Sequence, residues 1–317
     1  MINKKVVEFH LKSKESFFKF LTNQDSFGSY LFTGLKGTGK KDFVFFLSSK
    51  ILTNSHKIEK NIHPDFFYLS NENDKILVQD TKDIEKWILY PPFESTRKII
   101  VISKAETMNV EAQNKLLKIL EEPPGYVFFF LISSVPSMLL PTVRSRCINI
   151  DFQPLPNEFL LEALEGRLNQ PEFMDLSIFL LNGSVNNIEF YYQDNLEEMV
   201  DFVFSILKKE PTEMDLILKK MDEITKKDFN QSFFVNLLIG IFNYVLKLKH
   251  LDNYQKFSIF NRDLIEQTSS ISLIELISKM TNLSSNLKWS NFNFRMGIEE
   301  ILFDFILDED SWRSKVV

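Results

Sequence analysis

The 317-residue sequence predicts an α/β domain built on a parallel sheet, followed by a purely helical second half. Three observations carry this reading. Apolar runs of strand type alternate with helical stretches between Tyr30 and Asp151. A glycine-rich loop separates the first such run from the helix after it. Beyond the turn signals Pro154 and Pro156 the strand-type runs stop, and every strong periodicity is helical. Uninterrupted apolar strands imply burial on both faces, which a parallel sheet with crossover helices provides.

The strand runs are Tyr30–Thr33, Phe66–Leu69, Lys98–Ile102 and Val127–Ile132, with Ile148–Phe152 as an edge candidate. Between them, helical patterns occupy Lys41–Leu52, Thr81–Leu89 and Asn109–Leu120. Glu158–Leu168 and Leu176–Leu181 read as short helices, interrupted by Asn182-Gly183-Ser184. Further on, Leu196, Met199, Val200, Val203, Ile206 and Leu207 recur at the spacing of one helical face. Phe229–Leu248 is apolar nearly all round and belongs inside a helical bundle. Trp289–Leu307 closes the chain, with Ile298, Ile301, Leu302, Phe305 and Ile306 on one stripe. The expected organisation is an α/β domain over 1–152, a small helical lid over 153–195 and an all-helical domain over 196–317.

Composition narrows the function classes. Hydrophobic residues make up 44% and charged residues 25%, as in soluble globular chains, and the 32 Phe are core material. Against 43 Asp and Glu stand 37 Lys and Arg, a net charge of -6. Proteins that grip nucleic acid alone usually carry a basic excess, so any DNA contact here is local or shared with partners. Cys147 is the single cysteine, which excludes an internal disulfide and a multi-cysteine zinc site. The first residues are charged throughout, so no secretory signal is expected and the cytoplasm is the simplest compartment. Ser232–Leu246 is the most apolar stretch, but its 15 residues fall short of the roughly 18 needed to span a membrane. It is expected to be a buried helix.

The clearest chemical signal is Gly34-Leu35-Lys36-Gly37-Thr38-Gly39-Lys40, placed between a strand and a helix. Glycines let successive backbone N–H groups converge on a phosphate, and the helix behind adds its positive end. In such a P-loop Lys40 would reach the terminal phosphates, and a Ser or Thr after it would hold Mg²⁺. Here that next residue is Lys41, whose ammonium cannot ligate a metal. A second magnesium ligand belongs just past a neighbouring strand, yet Lys98–Ile102 is followed by Ser103-Lys104. Glu106 lies two to three residues further, on the ensuing turn or helix. The loop therefore leaves room for weak binding of ATP, ADP or phosphate through Gly34, Gly37, Thr38, Gly39 and Lys40, but not for hydrolysis.

Ala112 to Pro124 (AQNKLLKILEEPP) resembles the N-A-L-L-K-x-L-E-E-P-P signature of bacterial replicative clamp loaders, and Ser145-Arg146-Cys147 matches their S-R-C motif. His63-Pro64-Asp65 before a strand and Leu181–Ile188 (LNGSVNNI) fit the same family, over about residues 15–195. The resemblance implies an AAA+ P-loop domain, a lid and a helical collar, in a hetero-pentamer with the tau or gamma motors and delta. It further implies a sliding clamp loaded on primed DNA. Motor members keep an intact P-loop, an acidic pair after the second strand and a lid arginine. This chain has Lys41, Ser103-Lys104 and Asn186 there, and no Cys for the usual zinc module. The expectation is a non-hydrolysing subunit whose Arg146 projects into a neighbour's ATP site as an arginine finger.

Other residues favour plainer roles. Cys147 is expected to pack as a small core hydrophobe on an apolar strand. His63 is expected to shape a turn, and Lys115 and Lys118 to form a solvated face rather than a DNA contact. Adjacent Glu121 and Glu122 at a helix end face apart, so they do not form a catalytic pair.

Overall fold

The computed structural model describes residues 2–21, 27–70, 75–168, 171–186, 188–192, 195–209, 214–225, 230–250, 262–287 and 293–307. Phe229, Trp289 and Asn187, each part of a sequence expectation above, lie outside the described residues, as does the chain beyond Leu307. The chain divides into two compact units. One comprises Met1–Pro156 with Gly183–Asn186, the other Asn157–Asn182 with Asn187–Val317.

The first unit opens with helices α1 (Ile2–Ser13) and α2 (Glu15–Leu21), which the sequence reading did not anticipate. There follow β1 (Gly28–Gly34), α3 (Lys40–Ile51), α4 (His56–Glu59), β2 (Phe66–Leu69), α5 (Val78–Ile88) and β3 (Lys98–Ile102). The unit is completed by α6 (Val110–Glu121), β4 (Val127–Ile132), the short α7 (Pro141–Arg144) and β5 (Ile148–Phe152). All five expected strands form, and every pairing is parallel, in the order β2-β3-β4-β1-β5. Ile148–Phe152 is indeed an edge strand, in register with β1 so that Thr33 lies beside Asp151.

Alternate residues of the central strands face opposite layers, as the strand period of two requires. Leu31, Ile100, Ile102, Phe129 and Leu131 pack on one side with Ile84, Leu116, Ile119 and Leu120 of α5 and α6. Phe32, Ile99, Val101, Phe128 and Phe130 pack on the other with Phe43, Val44 and Leu47 of α3. Phe32 and Phe130 meet edge-on, with ring centroids 5.5 Å apart. The phenylalanine excess is thus absorbed in part by a double-sided core.

The second unit contains α8 (Asn157–Leu164), α9 (Met174–Leu181), α10 (Asn195–Leu207) and α11 (Met214–Thr225). It continues with α12 (Gln231–Lys249), α13 (Arg262–Gln267), α14 (Ser270–Asn286) and α15 (Phe294–Leu307). The length argument for its apolar helix does not hold: α12 runs for 19 residues and is long and apolar enough to cross a membrane. Packing decides its character instead. Phe234, Leu238, Ile241, Phe242 and Val245 are all buried within the unit. Asn230 caps the helix, accepting from the Phe233 N–H at 3.0 Å.

Candidate functional site

The glycine-rich loop leaves the carboxyl end of β1 and ends in α3, the strand–loop–helix order that a phosphate loop requires. Gly37 and Gly39 both adopt positive φ, 82° and 84°. At Gly37 a Cβ would lie 2.0 Å from Ser184 Oγ and 2.7 Å from the Asn186 nitrogen, and at Gly39 2.1 Å from Val6 Cγ1. Glycine is required at both for conformation and for space. The loop is therefore gripped from two sides, by residues 184–186 and by α1.

Several of its side chains and carbonyls have internal partners. Ser184 Oγ donates to the Lys36 carbonyl at 2.8 Å, and the Val185 N–H to the Gly37 carbonyl at 3.0 Å. Thr38 Oγ1 donates to Leu35 O at 2.9 Å. His10 Nε2 lies 2.6 Å from Thr38 O. A carbonyl only accepts, so that nitrogen carries the proton. Burial pushes the imidazole down to about 4, which keeps it neutral. Lys40 is 5% exposed, and its ammonium donates to Gly34 O at 2.7 Å and Leu35 O at 2.5 Å. Burial lowers it to about 8, with Glu106 and Asp151 acting in the opposite direction. Gly34, Leu35, Ser134, Arg144, Asn149 and Asp151 are among the residues lining a cavity of about 630 Å³ nearby, whose walls include none of Gly37 to Lys40.

The two positions where magnesium ligands were expected come together around Tyr68 of β2. The Lys41 ammonium sits over the Tyr68 ring, 5.1 Å from its centroid, and 5.5 Å from that of Phe45. Burial would raise the Tyr68 hydroxyl, but hydrogen bonds with Ser70, Ser103 and Lys41 outweigh it and the net shift is downward. One of the two positions thus carries a cation and the other a hydroxyl without a carboxylate, and this donor set does not fit a metal ion.

Glu106 stands on the turn that the sequence assigned to it, but the direction of its carboxylate was not foreseen. It lies on a short 3₁₀ turn, Ala105–Thr107, behind Lys104 in the left-handed conformation, φ 52°. The turn swings its carboxylate back, so that Oε1 accepts from the Ser134 N–H at 3.1 Å, while Oε2 is buried without a hydrogen-bond partner. Only the loop geometry, not the spacing, could have revealed this return. Ser133, at the end of β4, accepts from the Val135 N–H at 3.2 Å.

Arg146 lies apart from the loop, in the turn between α7 and β5. Its Nε and Nη2 both donate to Glu121 Oε2, at 3.2 and 3.0 Å, and Nη1 donates to Thr142 O at 3.0 Å. Cys147 precedes β5 rather than sitting on it, and packs against the core shared by α5 and α6. Burial raises its thiol to about 12, so it is inert as a nucleophile. His63 accepts from the Asp65 N–H at Nδ1 and bonds Thr53 O through Nε2, which is the turn-shaping role expected. Lys115 pairs with Glu85 at 3.0 Å.

Comparison with known proteins agrees with this architecture. The family described as DNA polymerase III, delta subunit, matches residues 10–156. The delta-prime subunit of DNA polymerase III from Bacillus subtilis is 32% identical over 172 residues, covering 50% of this chain and 51% of that protein. The chain thus spans about half the length of that relative. The tau subunit from Escherichia coli is 28% identical over 155 residues, 45% of this chain and 24% of its own. A solved DNA polymerase III gamma-subunit-related protein from Thermotoga maritima aligns over 92% of this chain and 98% of its own, with a TM-score of 0.54. At 19% identity that likeness speaks for the fold, which is the α/β P-loop type with a helical C-terminal region.

Proposed function

We propose, from the match of residues 10–156 to the DNA polymerase III delta-subunit family and the likeness to delta-prime subunits, that this chain is a non-hydrolysing member of a clamp loader. It works beside an ATP-hydrolysing neighbour and supplies Arg146 to that neighbour's nucleotide. The observation that carries this reading is the contrast in side-chain commitments. Lys40 is tied to the carbonyls of its own loop and Lys41 lies at the expected metal position. Without a held Mg²⁺, phosphoryl transfer loses its main charge stabiliser.

In this reading, motor subunits of the tau or gamma type and a delta subunit are the partners in a hetero-pentamer. The helical residues 196–317 contribute to a collar, residues 153–195 act as a lid, and the assembly loads a sliding clamp on primed DNA in the cytoplasm. No cofactor is required of this chain, and any ATP, ADP or phosphate held by Gly34, Gly37, Thr38, Gly39 and Lys40 binds weakly. An arginine offered in trans presents a fixed, permanently charged fork to phosphate oxygens and is worth about 10³–10⁵ in rate.

The test is ATP turnover of the reconstituted complex carrying Arg146→Ala. The expected result is normal assembly with turnover at one neighbouring site reduced by about 10³-fold or more. Normal turnover and clamp loading by that complex would refute the finger. The likeness to tau motivates a second reading, an active motor. It requires DNA-stimulated ATP turnover by the isolated chain, lost in Lys40→Ala.

A further inference from the structure

Two acidic residues, Glu121 and Glu122, stand at the carboxyl end of α6, where the helix dipole is negative and disfavours them. A carboxylate kept at a locally unfavourable place indicates a task that outweighs the conflict. Glu121 has a visible one. Its Oε2 receives both Nε and Nη2 of Arg146, from across 25 positions of sequence, while Thr142 O receives Nη1. These bonds use three of the five guanidinium donors, and the other two remain for another acceptor. The arginine side chain is 29% exposed, so its stem is packed, whereas Glu121 is 57% exposed.

We infer that Glu121 is a positioning residue for Arg146: it fixes the guanidinium along its Nε edge so that the remaining donors face outward in one orientation. This rests on the reading of Arg146 as a finger for a neighbouring nucleotide. Charge-assisted bonds from two nitrogens restrict rotation about the last side-chain torsions, which are otherwise free in a long exposed arginine. Preorganisation of this kind acts on rate more than on binding, since a misplacement of about 1 Å can cost about 10²-fold. The opposite role, a carboxylate that withholds the arginine from phosphate, makes the opposite prediction.

The experiment compares Glu121→Ala, Glu121→Gln, Arg146→Ala and the Glu121→Ala/Arg146→Ala double variant in the reconstituted complex. With Glu121→Ala, kcat at the neighbouring site is expected to fall about 10-fold or more with KM unchanged. Glu121→Gln keeps an accepting oxygen and should recover part of the loss. The double variant should be no worse than Arg146→Ala alone. In the isolated chain, the Arg146 Nε–H signal in ¹⁵N NMR should exchange faster with water in Glu121→Ala, while thermal unfolding is unchanged. Unchanged or raised turnover in Glu121→Ala, or an added loss in the double variant, would overturn the positioning role even if Arg146→Ala is impaired. If Arg146→Ala has no effect, the finger reading falls and this inference falls with it.

Discussion

The loop Gly34–Lys40 and the turn bearing Arg146 belong to one compact unit, yet they treat their cations in opposite ways. In the loop, Lys40 is buried and its ammonium is spent on Gly34 and Leu35 carbonyls, while Lys41 rests over Tyr68. In the turn, Arg146 is steadied by Glu121 and Thr142 but keeps donors for an outside acceptor. A sequence motif for phosphate binding therefore does not by itself say which cation is left with free donors. The difference lies in how many donors the internal partners leave over and in how exposed the side chain stays.

The grip on the loop is the first place to break this contrast. Gly37→Val would force a β-branched residue to φ 82° and push its side chain into Ser184 and Asn186. A loss of about 3 kcal/mol or more is expected in chemical denaturation. Gly125→Ala, where a Cβ meets nothing within 4 Å, should change stability by less than about 1 kcal/mol. Equal losses for the two would mean that the loop is not packed as described.

The hold of α1 on the loop is next in size and depends on pH. His10 titrates near 4 in the fold, below its ordinary 6.5, so between those values the unfolded chain binds more protons. Stability should consequently fall as pH drops from about 7 to 4, by about 2–3 kcal/mol more than in His10→Gln, whose amide can still donate to Thr38 O. Parallel pH profiles for the two proteins would contradict a buried neutral imidazole.

The smallest effect sharpens the comparison at the metal position. Lys41→Thr restores a hydroxyl where P-loops carry one, but removes a cation–π contact worth about 0.5–1 kcal/mol. A stability change within about 1 kcal/mol is expected, with no gain of Mg²⁺-dependent turnover because Ser103 still offers no carboxylate. Appearance of turnover would show that Lys41 alone silences the site.

Much of this was legible in the sequence. Strands β3 and β4 announce themselves because central parallel strands are apolar without interruption, and β5, with Asn149 and Asp151, reads as the edge it is. Helix α1 escaped notice because one of the residues that dock it, His10, is polar and stands beside Val6 and Val7 where periodicity looks for another apolar residue. The turn carrying Glu106 was foreseen, but not that its carboxylate accepts from the Ser134 N–H, because the left-handed Lys104 before it cannot be read from spacing. The extent of α12 was legible in the apolar run Phe229–Leu248; only the narrower count over Ser232–Leu246 fell short, because it stopped at the polar residues flanking that stretch. At α1 and Glu106 a tertiary contact or a single backbone conformation carried what spacing does not show.

ATP turnover by the purified chain alone, in saturating Mg²⁺ and with Lys40→Ala alongside, tests the central claim most directly. The account predicts no turnover above background for either protein. Brisk hydrolysis by the unaltered chain, abolished in Lys40→Ala, would contradict it.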